Sequence, residues 1–203
     1  MRAGVSTVCS LDAPLATVLE DYAAGHCDTV DLWLGHVETF LESASPAALR
    51  DLLEQHGITA VAASFQGGLV SAEGEAGNEH WRHFEARLVL LESLSIPVLV
   101  VAGDAFGPLG PRDLSRLSAN LSAAAARARD SGVKLALEFD SRASFPDNLQ
   151  SAVALVEDVG HPSLGLCLDW FHFTVGPSKP LDLGLLTRDT LAHVQLSDIA
   201  DVP

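Results

Sequence analysis

Basic residues are scarce in this chain: 12 lysines and arginines stand against 27 aspartates and glutamates, a formal net charge of −15 over 203 residues. No cluster of basic side chains interrupts the acidic background, so the surface repels phosphate backbones and anionic lipid. Neither nucleic acid nor a membrane is expected as a partner. Cysteine is sparse as well. Cys9, Cys27 and Cys167 are odd in number and form neither a C-x-x-C pair nor a regular framework, which argues for a reducing compartment and for cysteines that act as small packing residues. Long apolar runs are also missing, since nothing approaches the ~18 consecutive apolar residues of a membrane helix. The opening "MRAGVSTVCSLDAPL" has one arginine and no extended apolar stretch, so it does not read as a signal peptide, and a cytoplasmic protein is expected. Repeats and linkers are absent too, which predicts one domain over residues 1–203.

What the chain does have is apolar substance in short pieces. Hydrophobic residues make up 48% and charged ones 19%, enough for a sizeable core. Seven short runs ("AGVSTVCS", "TVDLWLG", "ITAVAAS", "IPVLVVAG", "VKLALEFD", "LGLCLD" and "LAHVQLSD") alternate with helical candidates near 13–25, 46–56, 75–94, 111–131, 147–159 and 180–189. Ser45 before Pro46 suits an N-cap followed by a first-turn proline, and Gly160 closes the stretch that Asp147 begins. Between the third strand and its helix, "SFQGGLVSAEGEAGNEHW" is rich in glycine and reads as a loop, either solvated or mobile over a site.

Strand and helix in strict alternation imply a parallel sheet with right-handed crossovers. Order alone does not separate an open doubly wound sheet from a (β/α)8 barrel. The strand faces do more. In "VKLALEF" the large apolar residues Val133, Leu135, Leu137 and Phe139 share one face, leaving Lys134, Ala136 and Glu138 on the other. Leu164, Leu166 and Leu168 oppose Gly165, Cys167 and Asp169, while Ala192, Val194 and Leu196 oppose His193, Gln195 and Ser197. A sheet covered by helices on both sides should be apolar on both faces. A TIM barrel, whose interior turns polar at its C-terminal rim, accommodates the pattern.

Glu138, Asp169 and Gln195 lie on that polar face, at or near the ends of three successive strands. Two carboxylates and an amide oxygen are hard donors suited to Mg²⁺ or Mn²⁺. Burying such carboxylates without a partner is costly, so either a cation or an ion pair with Lys134, Arg142 or Lys179 must answer them.

The stretches "VKLALEFD", "LGLCLDWFHFTVGPSK" and "LAHVQLSD", in that order, resemble the metal-site strands of the sugar phosphate isomerase/epimerase family, which has a xylose isomerase-like TIM barrel. Endonuclease IV is a more distant relative. "VDLWLGHVE", "VAASFQGG" and "VLVVAGD" extend the resemblance over essentially the whole chain. By this resemblance Glu138 binds the metal and exchanges a proton with the carbon beside a carbonyl, Asp169 is a second ligand, and His172 of the D-x-x-H contacts substrate oxygens. Gln195 stands where many members have the second His of H-x-H and where the hydroxypyruvate isomerase-like branch has glutamine. His193 is then a core histidine one layer deeper, and Gln66 and Trp33, at strand ends, are candidates for the pocket wall or for packing. His36, His80 and His83 have no spacing that points to a metal.

The implied reaction is metal-dependent isomerisation or epimerisation of a small sugar or hydroxy-ketone. The cation, Mn²⁺ or Mg²⁺ with Co²⁺ and Zn²⁺ as further candidates, would stabilise an enediolate while a carboxylate moves the proton. Members of the family also carry a glutamate on an eighth strand, and no such stretch precedes Pro203. The reading is therefore of a barrel lacking its eighth strand and helix, a truncated form of a longer chain with weak or no activity alone. A non-catalytic sugar-binding or regulatory barrel is the alternative. An endonuclease-like repair enzyme would need a His-rich multi-metal cluster and a basic face, and the sequence offers neither. The open edges of the first and seventh strands make a homo-oligomer a further expectation.

Overall fold

The computed structural model describes residues 2–198. Its strands are β1 (Val5–Ser6), β2 (Thr29–Trp33), β3 (Thr59–Gln66), β4 (Val98–Gly103), β5 (Lys134–Phe139), β6 (Leu164–Asp169) and β7 (Leu191–Gln195). The helices are α1 (Leu15–Ala24), α2 (Leu34–Leu41), α3 (Pro46–His56), α4 (Gly74–Ser93), α5 (Pro111–Asp130), α6 (Leu149–Val159) and α7 (Trp170–Val175). All seven predicted strands are present, although β1 is only two residues long before the chain turns into a 3-10 segment at Thr7–Ser10.

Every neighbouring pair is parallel and the strands lie in sequential order from β1 to β7. An open doubly wound sheet would reverse its order part-way. The sheet also curls: the Gln195 side chain on β7 reaches Asp31 on β2 and Ser64 on β3, at 3.4 and 3.3 Å. Side chains of strands so far apart in the order meet only if the sheet rolls towards closure, as in a barrel. Among the described residues there is no eighth strand, and what would follow Pro203 lies outside them. No helix among the described residues is long and apolar enough to cross a membrane.

The two faces separate as their alternation predicts on β5 and β6, whereas on β7 a register shift against β6 brings Ala192 onto the interior cluster instead of outward with Val194. Leu99, Val101, Leu135, Leu137, Phe139, Leu164 and Leu166 join the large core between strands and helices. Val100, Ala136 and Cys167 form a small separate cluster inside the barrel. Gly165 belongs to that interior, where an added Cβ would meet the Thr190 carbonyl oxygen at 2.8 Å and the Ala192 Cβ at 2.9 Å. Small residues at this level let β6 and β7 approach closely and leave room for polar side chains above.

Local signals explain the helices. Ser45 caps α3, its hydroxyl accepting from the Ala48 N–H at 3.2 Å, with Pro46 in the first turn, and Gly57 closes it in the left-handed region at φ 65°. The N-cap of α6 is Asn148, one residue after the predicted Asp147, because its amide oxygen accepts from the Ser151 N–H at 2.9 Å. Two helices, α2 and α7, were not expected. Both are short and start where a strand ends, so no loop signal separates them from the strand. The candidate at 180–189 is a 3-10 turn, Pro180–Leu185.

The glycine-rich stretch after β3 is also shorter than expected, because β3 runs on to Gln66 and α4 begins at Gly74. Leu69, Val70 and Ala72 of the connection are buried. The Asn120 amide donates to the Val70 and Ala72 carbonyls at 3.0 Å each, and the Gly68 N–H donates to Asp104 at 2.6 Å. The segment is thus packed down on α5 and on the end of β4.

On α4, Phe84 is fully buried and meets Trp81 edge-on, with centroids 5.9 Å apart, while Arg127 of α5 covers the Trp81 ring. Phe84→Ala should lower unfolding free energy by about 3–5 kcal/mol, the range for an aromatic truncation that the surroundings cannot fill. Urea denaturation reads this directly, and a loss under about 1 kcal/mol would show that α4 repacks.

Candidate metal centre

β5 and β6 deliver the first two residues of the site. Alternation along β5 points Glu138 inward between outward-facing Leu137 and Phe139, and Glu138 pairs in register with Cys167 of β6. Asp169 ends β6 on the same face and pairs in register with Gln195 on β7. These side chains therefore share the C-terminal end of the strands, where TIM barrels place their chemistry.

The D-x-x-H spacing has a local cause. Asp169 is the N-cap of α7, and its Oδ1 accepts from the His172 backbone N–H at 2.8 Å. Cap and third helical residue lie side by side, which brings the imidazole next to the carboxylate and leaves Oδ2 of Asp169 for another partner. Gly176 then permits the tight turn back: a Cβ there would meet the His172 carbonyl oxygen at 2.6 Å and the Ser141 Cβ at 2.8 Å.

His172 is held in one tautomer. The Ser141 backbone N–H, which can only donate, points to Nδ1 at 3.3 Å, and the Ser141 hydroxyl is 3.1 Å from the same nitrogen. Nδ1 accepts in that arrangement, so the neutral ring carries its proton on Nε2. Nε2 faces Glu138 Oε1 at 3.8 Å. Donor atoms of Glu138, Asp169 and His172 all fall within 4.8 Å of one another, close enough to surround a single ion.

The electrostatics of the rim are those of an uncompensated anionic site. Burial first, then the negative charges of Asp169, Asp140 and Asp31, push the Glu138 carboxyl up to about 8. Two of the cations that sequence offered as partners are engaged elsewhere: Arg142 pairs with Asp140 at 2.9 Å, and the Lys134 ammonium reaches the Asp189 carbonyl at 3.4 Å. Among the described residues no lysine or arginine pairs with Glu138 or Asp169. At Asp140 burial works upward too, but the Arg142 hydrogen bonds outweigh it and hold that carboxyl below its ordinary range. Two carboxylates and an amide oxygen, with the imidazole beside them as a donor, fit a divalent cation, which would lower the cost of ionising Glu138.

Gln195 and His193 meet a residue that sequence reasoning passed over. Asp31, on β2, is buried and accepts from the Ser64 hydroxyl at 2.8 and 2.7 Å. The Gln195 amide nitrogen lies 3.4 Å from its Oδ2, and His193 Nε2 lies 3.6 Å from the same oxygen. A signal existed: "TVDLW" places one charged residue inside an otherwise apolar strand. His193 sits over this carboxylate rather than among apolar neighbours alone.

The two wall candidates diverge. Trp33 stacks on Phe65 with centroids 5.6 Å apart, forming an aromatic ledge at the ends of β2 and β3. Gln66 is buried, its amide donating to the Gly67 carbonyl at 2.8 Å and accepting from Arg87 of α4 at 3.2 Å. His36, His80 and His83 stay outside the cluster: His36 meets the Ala13 carbonyl at 2.8 Å, His83 meets Glu38 at 2.9 Å, and His80 packs over Gly68. Of the three free cysteines, Cys167 packs as expected beneath Glu138, whereas Cys9 is exposed.

The family model of the xylose isomerase-like TIM barrel matches residues 22–203. The chain belongs to this family. No curated protein matches the sequence. Among solved structures, the IolI protein with a bound zinc atom superposes on this xylose isomerase-like barrel with a TM-score of 0.90 at 20% identity, over 100% of this chain and 75% of that one. D-psicose 3-epimerase from Clostridium cellulolyticum H10 gives 0.78 at 18% identity, over 96% and 72%. A xylose isomerase-like TIM barrel/4-hydroxyphenylpyruvate dioxygenase fusion protein gives 0.83 at 22% identity over 95% of this chain, which spans only 30% of the fusion. At these identities the likeness is one of fold.

Proposed function

We propose that this barrel moves a proton at the carbon beside the carbonyl of a small sugar or hydroxy-ketone, as an isomerase or epimerase, with a divalent cation held by Glu138, Asp169 and Gln195. The observation that carries the reading is the convergence of Glu138, Asp169 and His172 within 4.8 Å on one rim, with no lysine or arginine among the described residues to answer the carboxylates. Mn²⁺ or Mg²⁺ suits the oxygen donors best, and when bound supplies polarisation of the substrate carbonyl. The zinc named for the IolI structure and the epimerase relative are consistent with this class of site.

The roles of the residues follow from their surroundings. Glu138 takes the proton, because its inward position at the end of β5 puts the carboxylate on the rim beside the cation it would help to hold. His172 offers Nε2–H to a substrate oxygen, because Ser141 occupies its other nitrogen. Asp169 keeps one oxygen for its helix cap and one for the cation. The Trp33–Phe65 ledge supplies an apolar wall.

Solvent exchange tests the reaction class even while the product is unidentified. The Mn²⁺-loaded protein, incubated in D₂O with a panel of free ketoses, D-psicose and D-tagatose among them, should place deuterium at the carbon next to the carbonyl, as read by proton NMR. Exchange in none of them, from a protein shown to hold its metal, would refute proton transfer on sugars.

A further inference from the structure

The far wall of the barrel points to a residue that acts through Gln195. We propose that Asp31 is a positioning residue: its carboxylate holds the Gln195 amide by its nitrogen and thereby presents the amide oxygen, not the nitrogen, as a donor to the cation. This rests on the reading of Gln195 as a ligand. A glutamine amide has two ends of nearly equal shape, and only the oxygen end can bind a cation. Something must select the end.

Asp31 does so by its chemistry. An ionised carboxylate can only accept, so the Gln195 atom lying 3.4 Å from its Oδ2 is the nitrogen. Ser64 reinforces the choice. Its hydroxyl proton is committed to Asp31, at 2.7 and 2.8 Å, leaving an oxygen lone pair that accepts from the same Gln195 nitrogen at 3.3 Å. Both neighbours of that end are acceptors. Gln195 is in register with Asp169, which puts it on the rim that carries the carboxylates. Partners behind a ligand that fix its orientation commonly change metal affinity by about 10–100-fold.

A mutant cycle read by Mn²⁺ affinity, measured by electron paramagnetic resonance on the full chain, tests the idea. Asp31→Asn keeps the shape but can donate as well as accept, so the amide is free to turn over; affinity should fall about tenfold or more. In a Gln195→Ala background the same substitution should have no further effect. Unchanged affinity in Asp31→Asn overturns the proposal, and so does a double variant whose loss is the product of the single losses, since Asp31 would then act by its charge. Should Asp31→Asn not fold, Ser64→Ala enters the same cycle, with a smaller loss that must also vanish without Gln195. Wild-type affinity in Gln195→Ala removes Gln195 as a ligand and the proposal with it. Failure of the site itself would show differently, as undiminished binding in Glu138→Gln and Asp169→Asn.

Discussion

Replacing Glu138 by glutamine should weaken Mn²⁺ binding by more than about a hundredfold, beyond what removal of an outer partner costs, and should cut solvent exchange into substrate by at least about a hundredfold. The substitution retains the side chain's shape and one oxygen and deletes only the charge. Because no lysine or arginine among the described residues pairs with Glu138, loss of its negative charge leaves no stranded cation behind, and the fold should survive. Asp169→Asn is the companion. Its remaining carbonyl oxygen can still accept from the His172 N–H, so the cap of α7 is preserved while the second charge disappears. Calorimetric titration with Mn²⁺ and circular dichroism together separate lost binding from lost structure. Wild-type affinity in both folded variants would refute the centre.

The second large effect is on stability against pH. In the metal-stripped protein, stability should fall by on the order of a few kcal/mol as pH rises from about 5 to about 8. The sign follows from linkage. Glu138 ionises near its ordinary value of 4.5 in the unfolded chain but only at about 8 when folded. Between those limits the native state holds a proton that the unfolded state has lost, so raising the pH favours unfolding. The contribution is fully present below the unfolded value and gone above the folded one. Asp104, whose carboxyl is also raised by burial against the pull of the Gly68 N–H, acts in the same direction. Glu138→Gln isolates the effect: the slope should flatten and the variant should be more stable than the parent at pH 8. Mn²⁺ should reverse the trend, because it binds the ionised form and stabilises the native state in proportion to its occupancy. Urea midpoints across pH, with and without Mn²⁺, would show this. A parent whose metal-free stability is flat from pH 5 to 8 would mean that Glu138 is not held in the environment described.

Both predictions concern residues that the sequence exposes for a simple reason. Glu138 and Asp169 are carboxylates on strands with an apolar opposite face, where alternation makes a charge conspicuous and the strand end gives it a location. The D-x-x-H spacing was readable only through the family resemblance, since the cap and third residue that explain it belong to α7, a helix the sequence does not announce. Asp31 was harder to see. Its charge stands out in a short, otherwise apolar strand, but its importance comes from Ser64 and Gln195, which are 33 and 164 residues away in sequence.

Gln66 shows what strand position leaves open. Its place at the end of β3 suits a pocket wall or packing, and its amide oxygen accepts from Arg87 on α4, which also bonds Glu38 and the Phe65 carbonyl. No periodicity of β3 could reveal a partner on the helix that follows it. The helices α2 and α7 escaped for a related reason, since each begins directly at a strand end and lacks the punctuation that marks a boundary.

By itself, then, the sequence determined the seven parallel strands, the polar face that carries Glu138 and Asp169, and the placing of that carboxylate pair at one rim, because periods of 2 and 3.6 residues are properties of neighbouring residues. Tertiary structure alone decided what those carboxylates lack and what they meet. The roll of the sheet places Asp31 and Ser64 against Gln195, and the pairing of β5 with β6 sets Ser141 against His172, and so tautomer and amide orientation are fixed. Those are consequences of atoms a few ångströms apart that the chain separates by up to most of its length.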